Sequence, residues 1–360
     1  MKKRIMLHGA TDCNSSNYGD YIYGELIYDY IKNKGIDVCF YNASTFFKEH
    51  LDDFMDTKKF KFSNADGIVY IPGGYFGEGH NARFRDNLVQ FLRFMPLGIK
   101  ASFKKIPMVV LGIGAGPNKD FLMNYGIRKI CNHSSVITVR DSESYKSLKN
   151  LCPKANIVEA GDVIITKKLN LLESSLQLNK IKDLKNNYKI LLVHYNHSDE
   201  ALIKFANAVK NFINNHPEYK VVVASDSILA FEEEYYQKFN QIMGVKCEHF
   251  IYKNPHEMTA LLKLVDLVLT CKLHVGVVAT TFDKSVIAIA CHPEKTKRYY
   301  SQIGEEERCI SLYNSHSKEI ELLLEKYYDK NINIPNKVIL KATKTWEILD
   351  SVIGDMNDDK

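Results

Sequence analysis

The segment RIMLHGATDCNSSNYGDYIYGELIYDYIKNKG, residues 4–35, contains an apolar strand, a polar loop and a helix in that order. The strand covers residues 4–8, and the loop that follows it is rich in Gly, Asn and Ser. Apolar residues then recur at helical spacing, and Gly35 is the kind of residue that ends a helix. A strand that leads through a glycine-containing loop into a helix is typical of a parallel α/β sheet.

The same alternation continues along the rest of the chain. Further apolar strands end in glycine or charged loops, and the pattern restarts after a polar interval. We therefore predict an α/β protein with two doubly wound, Rossmann-like domains that face each other across a cleft. The strands that carry this prediction are GIVYIPGG (67–74), MVVLGIGAGP (108–117), VITVRD (136–141) and NIVEAGDVI (156–164), followed by KILLVHYN (189–196), KVVVASDS (220–227) and KSVIAIACHP (284–293).

The 360 residues suit two domains of ordinary size. We place an N-terminal Rossmann-like domain at residues 1–175 and a C-terminal one at residues 189–335. Residues 176–188 are rich in Lys and Asn and lack a strand pattern, so they are predicted to be a linker. A helix within residues 336–360 is expected to pack back on the first domain.

Composition excludes several classes of protein. The chain is 45% hydrophobic and 25% charged with a net charge of +5, and its basic and acidic residues are interspersed. Nucleic-acid binding is therefore not expected, and no apolar window has the length of a transmembrane helix. The eight cysteines lack metal-ligand spacing and no secretory signal precedes them, so we expect reduced thiols in a cytoplasmic protein without a metal.

The residues that follow each strand are the candidates for a functional site, because ligands of open parallel sheets bind beyond the carboxyl ends of the strands. Glycines there let a ligand approach the backbone, although a tight turn explains any single one more simply. The candidate glycines are Gly19, Gly73, Gly74, Gly112, Gly114 and Gly116. The candidate polar residues are Asn17, Asp20, Arg140, Asp141, Asp162, Asn196, Ser225, Asp226, Lys272, His274 and Lys295.

The segment LTCKLHVGVVATT, residues 269–281, places Lys272 and His274 at the start of an otherwise apolar helix. A helix N-terminus is already partly positive, so further cations there favour a bound anion. Lys295 follows the last strand and adds another cation. We interpret this region as an anion pocket. Simpler roles stay open: a core histidine at 274, a solvated basic loop around 295, and a surface ion network of Arg140 with Asp141 or Glu143.

The segment LVQFLRFMPLGIKASFKK, residues 88–105, is apolar on one side and basic at its end. A helix that covers a sheet has this pattern, and that is the simpler interpretation. Contact with a membrane surface is the alternative, and it stays open.

Taken in order, these motifs resemble those of the polysaccharide pyruvyl transferase family, over roughly residues 5–305. Three positions depart from the family's pattern, with Lys272 in place of an arginine, Tyr75 in place of a glycine and Tyr21 in place of an acidic residue. The resemblance rests on an N-x-G-D turn (17–20), a Gly-Gly turn (73–74), G-x-G-x-G-P (112–117), I-T-V-R-D-x-x-S (137–144), Asp162, the helix start Lys272-Leu273-His274, and Lys295 ahead of Gly304.

The resemblance implies a fold similar to GT-B glycosyltransferases and a transferase that uses phosphoenolpyruvate as its donor. The acceptor would be a sugar of a surface-polysaccharide or cell-wall precursor, and the product a cyclic pyruvate ketal. A lipid-linked acceptor would bring the protein to the inner face of the membrane, and no cofactor is implied. The donor-binding set carried over from the family is Arg140, Lys272, Leu273, His274 and Lys295.

These residue types suit the charge of the donor. Phosphoenolpyruvate has about three negative charges near neutral pH, because the second pKa of a phosphate lies near 6. His274 is expected to be the general acid and base, since an imidazole exchanges protons near neutral pH. Asp20 and Asp162 are expected to bind acceptor hydroxyls or to accept their protons.

Two other functions fit the same architecture. A GT-B glycosyltransferase with a nucleotide-sugar donor also has two facing Rossmann-like domains, although residues 250–295 contain no clear E-x7-E pattern for a nucleoside clamp. A non-catalytic glycan- or anion-binding protein is the second alternative. It stays open because Lys272 offers a point charge where an arginine would offer two parallel hydrogen bonds.

Overall fold

The computed structural model describes residues 3–11, 16–51, 54–55, 61–77, 83–116, 118–195 and 198–358. The chain divides into two compact units. The first unit comprises Met1–Asn14, Asp20–Lys167 and Asn336–Lys360. The second comprises Ser15–Gly19 and Lys168–Pro335.

The first unit is built on a parallel sheet in the order β2-β1-β3-β5-β6-β7, with β4 paired to β5. The chain passes from β1 to β2 on one side and then returns to β3 on the other side of β1. The carboxyl ends of β1 and β3 therefore form a topological switch point. The strands are β1 (Arg4–His8), β2 (Asp37–Phe40), β3 (Gly67–Tyr70), β4 (Gly73–Phe76), β5 (Met108–Ala115), β6 (Val136–Val139) and β7 (Ile157–Glu159).

Helices follow these strands and cover the sheet. Asp120 and Asp141 cap two of them, because each carboxylate accepts a hydrogen bond from a backbone amide in the first turn. Phe94, Met95 and Ile127 project from helices into the same core as Tyr70 and Val110 of the sheet. The helices are α1 (Tyr18–Lys32), α2 (Thr45–His50), α3 (Phe84–Lys104), α4 (Phe121–His133) and α5 (Ser142–Leu151), with short 3-10 turns at Phe62–Asn64 and Val163–Thr166.

The second unit has its own parallel sheet, in the order β10-β9-β8-β11-β12-β13. Here β8 lies in the middle, and the chain moves outward to β10 before it returns to β11 on the other side of β8. Its switch point therefore lies between the carboxyl ends of β8 and β11. The strands are β8 (Lys189–His194), β9 (Tyr219–Ala224), β10 (Glu248–Phe250), β11 (Leu267–Thr270), β12 (Ser285–Ala290) and β13 (Cys309–Ser311).

The helices of the second unit bury Leu, Ile and Phe side chains against this sheet. Phe205, Val209 and Phe212, at helical spacing on one helix, join Leu191 and Val193 of β8 in the core. The helices are α6 (Leu176–Lys185), α7 (Asp199–Asn215), α8 (Glu232–Met243), α9 (Pro255–Leu264), α10 (Leu273–Thr280), α11 (Pro293–Gln302) and α12 (Ser317–Tyr327), with a 3-10 turn at Glu306–Arg308.

The predicted linker at residues 176–188 is instead a helix of the second unit. Residues of α6 belong to this unit, which begins again at Lys168. Leu178 and Ile181, one helical turn apart, are buried, while the Lys and Asn residues that suggested a linker share the helix with them. The polar composition is that of a surface helix with a narrow apolar side.

The last helix, α13 (Asn336–Asp358), belongs to the first unit. The indole Nε1 of Trp346 donates a hydrogen bond of 2.6 Å to Oγ1 of Thr166, and Lys341 pairs with Glu159. Among the described residues, no helix has both the length and the apolarity that a membrane span requires.

Candidate functional site

The start of α10 lies at the switch point of the second unit. β11 ends at Thr270, and α10 begins at Leu273 with Lys272 as its N-cap residue. Lys272, Leu273 and His274 are all half-buried, whereas the helix is buried from Val275 to Thr280. The three residues predicted from the helix-start motif therefore line the edge at which open α/β sheets bind their ligands.

A buried polar network lies beneath this helix start. His194 is the last residue of β8 and has no solvent exposure. Its Nδ1 lies 2.9 Å from Oγ1 of Thr270, which also accepts a 3.1 Å hydrogen bond from the backbone amide of Lys272. Its Nε2 lies 3.5 Å from Oδ1 of Asp226. The network thus joins the ends of β8 and β11 to the loop after β9.

Asp226 carries the negative charge of this network. Burial alone would raise the pKa of its carboxyl group, but the neighbouring imidazole of His194 and the positive charge of Lys272 outweigh burial and hold that pKa well below its usual value. The carboxylate is therefore ionised at neutral pH and attracts Lys272. Asp226 followed a predicted strand, yet nothing in its local sequence pattern indicated this partner.

The N-x-G-D turn packs onto the same network. The side-chain amide of Asn17 donates a 3.3 Å hydrogen bond to Oδ2 of Asp226, and the backbone amide of Tyr18 donates a 2.9 Å bond to its carbonyl oxygen. A Cβ on Gly19 would lie 2.1 Å from Nδ1 of His274. The turn therefore needs glycine at this position because the imidazole occupies the space of a side chain.

Lys295 is the third residue of α11, which follows β12. Because β12 pairs with β11 in parallel, α10 and α11 both begin at the carboxyl edge of the sheet. The two helices approach closely, since a Cβ on Gly276 would lie 2.5 Å from the hydroxyl oxygen of Tyr300. Two helix N-termini and two lysines are thus gathered at one edge of the second unit.

Arg140 is the corresponding cation of the first unit. It follows β6 and is buried, with Nε 3.7 Å from Oδ2 of Asp141. A Cβ on Gly114 would lie 2.7 Å from Nη2 of Arg140. The predicted glycine of β5 and the predicted arginine therefore lie in direct contact, and the glycine leaves room for the guanidinium group.

Tyr23 and Asp162 also act on Arg140. The hydroxyl of Tyr23 donates a 2.6 Å hydrogen bond to Oδ2 of Asp162, whose Oδ1 accepts a 3.1 Å bond from the amide of Ile164. Burial lowers the pKa of Arg140, but Tyr23, Asp162 and Asp141 more than compensate and raise it. Burial and Asp162 raise the pKa of Tyr23, so its hydroxyl keeps its proton.

A sequence model of the polysaccharide pyruvyl transferase family matches residues 17–293, which contain every polar site residue described above except Lys295. The chain belongs to the polysaccharide pyruvyl transferase family. This confirms the resemblance found in the sequence motifs. No protein with a curated description matches the sequence significantly.

Solved structures with the GT-B fold are similar to the chain over its whole length. A protein of Listeria monocytogenes classed as a UDP-N-acetylglucosamine 2-epimerase has a TM-score of 0.66 at 12% identity, with 100% of this chain and 98% of that one covered. Staphylococcus aureus MnaA with UDP has a TM-score of 0.63 at 12% identity, covering 99% and 97%. The UDP-GlcNAc 2-epimerase of Methanocaldococcus jannaschii has a TM-score of 0.61 at 13% identity, covering 98% and 100%. At these identities the similarity shows the fold, and it confirms the prediction of two Rossmann-like parts.

Two of the three departures from the family pattern are tyrosines that pack into the first unit. Tyr75 is buried and stacks on Phe94 with ring centroids 4.5 Å apart. A Cβ on Gly73 would lie 2.4 Å from the Tyr75 ring, so this aromatic ring covers that glycine. Tyr21 is also buried, and its hydroxyl donates a 2.6 Å hydrogen bond to the carbonyl oxygen of His50.

The remaining predicted residues of the first unit lie on three different segments of the chain. Asp20 is half-buried in the first turn of α1, and Gly74 is half-buried in β4. Gly116 has room for a Cβ, whose nearest neighbour would be Cα of Gly77 at 3.9 Å. Pro117, the end of the G-x-G-x-G-P motif, lies outside the described residues.

Metal-ligating side chains are not clustered in the described part of the chain, where no group of three His, Cys, Asp or Glu residues could hold a metal ion. The cysteines there are buried free thiols, namely Cys39, Cys131, Cys152, Cys247, Cys271, Cys291 and Cys309. Cys13 lies outside the described residues.

Proposed function

We propose that the protein transfers the pyruvyl group of phosphoenolpyruvate to a sugar of a surface-polysaccharide or cell-wall precursor, forms a cyclic ketal and releases phosphate. Membership in the polysaccharide pyruvyl transferase family supports a pyruvyl transfer. The observation that carries the choice of donor is the cationic edge of the second unit, where Lys272, His274 and Lys295 follow two adjacent parallel strands.

The donor's charge is the first reason for this assignment. Its phosphate and carboxylate carry about three negative charges, and the N-termini of α10 and α11 supply backbone amides and partial positive charge for such groups. Lys272 and Lys295 add two full charges. The buried carboxylate of Asp226 attracts Lys272 and so limits the positions that its ammonium group adopts.

The proposed chemistry needs one proton to move to carbon and two hydroxyl groups to attack. His274 donates a proton to the methylene carbon of the enol, and a first sugar hydroxyl bonds to the adjacent carbon and returns its proton to His274. A second hydroxyl then attacks the same carbon, the C–O bond to phosphate breaks, and the departing phosphate takes up the second proton. Lys295 and Lys272 stabilise the charge that collects on that phosphate.

Arg140, Asp20 and Asp162 have separate roles in this proposal. Arg140 keeps its predicted role in donor binding, and the binding experiment below tests it independently. Asp162 is buried against Tyr23, so it acts by holding the surroundings of Arg140. Asp20, half-buried at the start of α1, is proposed to bind an acceptor hydroxyl. We propose that the reaction takes place in the cytoplasm, with an acceptor that is free or lipid-linked.

Calorimetric titration with phosphoenolpyruvate and with a panel of nucleotide sugars tests the donor. We expect micromolar binding of phosphoenolpyruvate and none of the nucleotide sugars. His274→Ala, Lys295→Ala and Arg140→Lys should each weaken donor binding about tenfold, which corresponds to roughly 1.4 kcal/mol. Phosphate release in the presence of saccharides then identifies the acceptor.

Lys297→Ala is the matched control for Lys295→Ala. Lys297 lies on the same helix but pairs with Glu306 at 2.9 Å, away from the helix start. Its replacement should leave donor binding unchanged. Binding of a nucleotide sugar without binding of phosphoenolpyruvate would show the protein to be a glycosyltransferase instead. Donor binding without phosphate release on any saccharide would identify a non-catalytic binding protein.

A further inference from the structure

The solvent-facing side of α3 and α4 in the first unit exposes large apolar side chains. Leu92 is 62% exposed and Phe103 70% exposed on α3, and Phe121 is 75% exposed on α4. Soluble helices normally place polar residues on this side. We name this surface the apolar-basic face and define its apolar part as Val89, Leu92, Pro96, Phe103, Phe121 and Tyr125.

Helical spacing places the α3 members of the apolar-basic face on one stripe. Residues 89, 92, 96, 100 and 103 recur at intervals of three or four, and all five are exposed. The opposite side of α3 is buried in the core through Phe94, Met95, Leu97 and Ala101. α3 therefore has two apolar sides, one that covers the sheet and one that is exposed to solvent.

A lysine joins the two helices into one surface. Nζ of Lys129 on α4 lies 5.5 Å from the ring centroid of Phe103 on α3 and 5.8 Å from the ring centroid of Tyr125. Phe121 precedes Tyr125 by four residues, so both rings lie on the same side of α4. Phe103 of α3 and Tyr125 of α4 thus lie on either side of one cation.

The charge of this region differs from that of the whole chain. Residues 83–133 contain nine Lys and Arg but only two acidic residues, Asp86 and Asp120, although the entire chain has a net charge of only +5. Both carboxylates serve as helix caps, since Asp86 accepts from the amide of Arg83 and Asp120 from that of Met123. Basic and acidic residues are interspersed along the whole sequence, but in this segment basic residues predominate.

We propose that the apolar-basic face docks the first unit onto an anionic lipid bilayer surface. Its cations, including Arg85, Lys100, Lys104 and Lys129, match anionic headgroups. Exposed Leu and Phe side chains beside them suit the boundary between headgroups and acyl chains. A nucleic-acid backbone would match the charge but would leave Val89, Leu92 and Phe121 in water. The assignment stands on this surface alone and does not depend on the proposed donor.

Vesicle co-sedimentation of the full-length protein tests the docking surface. We expect at least tenfold tighter binding to vesicles of phosphatidylcholine with phosphatidylglycerol than to phosphatidylcholine alone, with a loss of binding at high salt. The double variant Phe103→Ser/Phe121→Ser should weaken binding at least tenfold, and Lys100→Glu/Lys104→Glu should abolish the preference for anionic vesicles.

The double variant Leu322→Ser/Leu340→Ser is the matched control. These side chains are 56% and 67% exposed on α12 and α13 and are not part of the apolar-basic face, so their replacement should leave vesicle binding unchanged. Circular dichroism checks the fold of each variant. Equal binding to both vesicle types, or insensitivity to the Phe103 and Phe121 replacements, would overturn the proposal. So would a dimer in light scattering that these replacements dissociate, because a second copy would then cover the face.

The docking proposal and the proposed function fail in separate measurements. Phosphoenolpyruvate binding in solution does not involve vesicles, so the apolar-basic variants should bind the donor as the native protein does. Loss of donor binding in the His274 variant with intact vesicle binding would leave the docking surface in place.

Discussion

Gly19 and His274 are in such close contact that a single added methyl group on the glycine would reach the imidazole. A Cβ built on Gly19 lies 2.1 Å from Nδ1 of His274 and 2.7 Å from its Cβ. Distances below 3 Å require the ring to move. Both residues were identified in the sequence as site candidates, and the structure brings them together beside Asp226.

Gly19→Ala should therefore displace the imidazole of His274 from its position at the start of α10. We expect donor binding or turnover to fall at least tenfold, with a loss of about 1–3 kcal/mol in the free energy of unfolding from overpacking. Gly354→Ala is the control, because no atom lies within 4 Å of a Cβ at that position. Steady-state kinetics and urea unfolding measure the two effects. Full activity of Gly19→Ala would show that neither donor binding nor turnover depends on the position of the His274 imidazole.

Tyr23→Phe removes the 2.6 Å hydrogen bond to Asp162 while it keeps the aromatic ring. We expect about 1–2 kcal/mol of destabilisation, because Oδ2 of a buried carboxylate loses a donor. The KM for the donor should rise more than kcat falls, since the guanidinium of Arg140 would be held less firmly.

Tyr125→Phe provides the control for this substitution, because the Tyr125 side chain is exposed on α4 and its change should alter neither stability nor KM. A Tyr23→Phe protein with lower stability and an unchanged KM would mean that the Tyr23–Asp162 hydrogen bond supports the fold alone.

Local patterns were sufficient to predict the two sheets and the start of α10. The alternation of apolar strands with helices depends only on residues that are close together in the sequence. The same is true of the run from Lys272 to Val275 that begins α10. The helix at Leu176–Lys185 was missed because only Leu178 and Ile181 of its residues are buried. The sequence of this helix has four apolar residues, Leu176, Leu178, Ile181 and Leu184, between polar ones, and it does not show which of them are buried.

Partners that are distant in the sequence could not be predicted from it. Glycines 19 and 114 were identified as positions where a ligand could approach, whereas in the structure His274 and Arg140 occupy the space beside them. Asp226 and Tyr23 had no predicted partner, because the residues that they contact come from other strands and loops. The sequence pattern locates the edge of each sheet, and only the fold shows which side chains meet there.

Asp226 makes the stability of the second unit depend on pH. Its pKa in the native state lies below its unfolded value of about 3.9, so the unfolded chain binds more protons than the native one in that range. The ionised Asp226 carboxylate stabilises the native state fully at pH values above its pKa in the unfolded chain. This contribution is lost as the pH falls through the lower pKa that the group has in the native state.

Asp226→Asn should lower the free energy of unfolding at pH 7, and the difference from the unsubstituted protein should become smaller toward pH 3. Urea unfolding at both pH values measures this difference, and an equal difference at both would contradict the role of the charge.

Lys272→Arg restores the residue type of the family at the start of α10. The guanidinium can form two parallel hydrogen bonds where an ammonium group offers a point charge, so we expect donor binding to tighten by roughly two- to tenfold, or about 0.5–1.5 kcal/mol. Lys272→Met should weaken it at least tenfold, because it removes the charge and leaves the Asp226 carboxylate without a cation that lowers its pKa. Calorimetry on the three proteins compares the effects. Weaker binding in Lys272→Arg would indicate that Asp226 holds the guanidinium away from the donor, and that lysine is the residue this particular network requires.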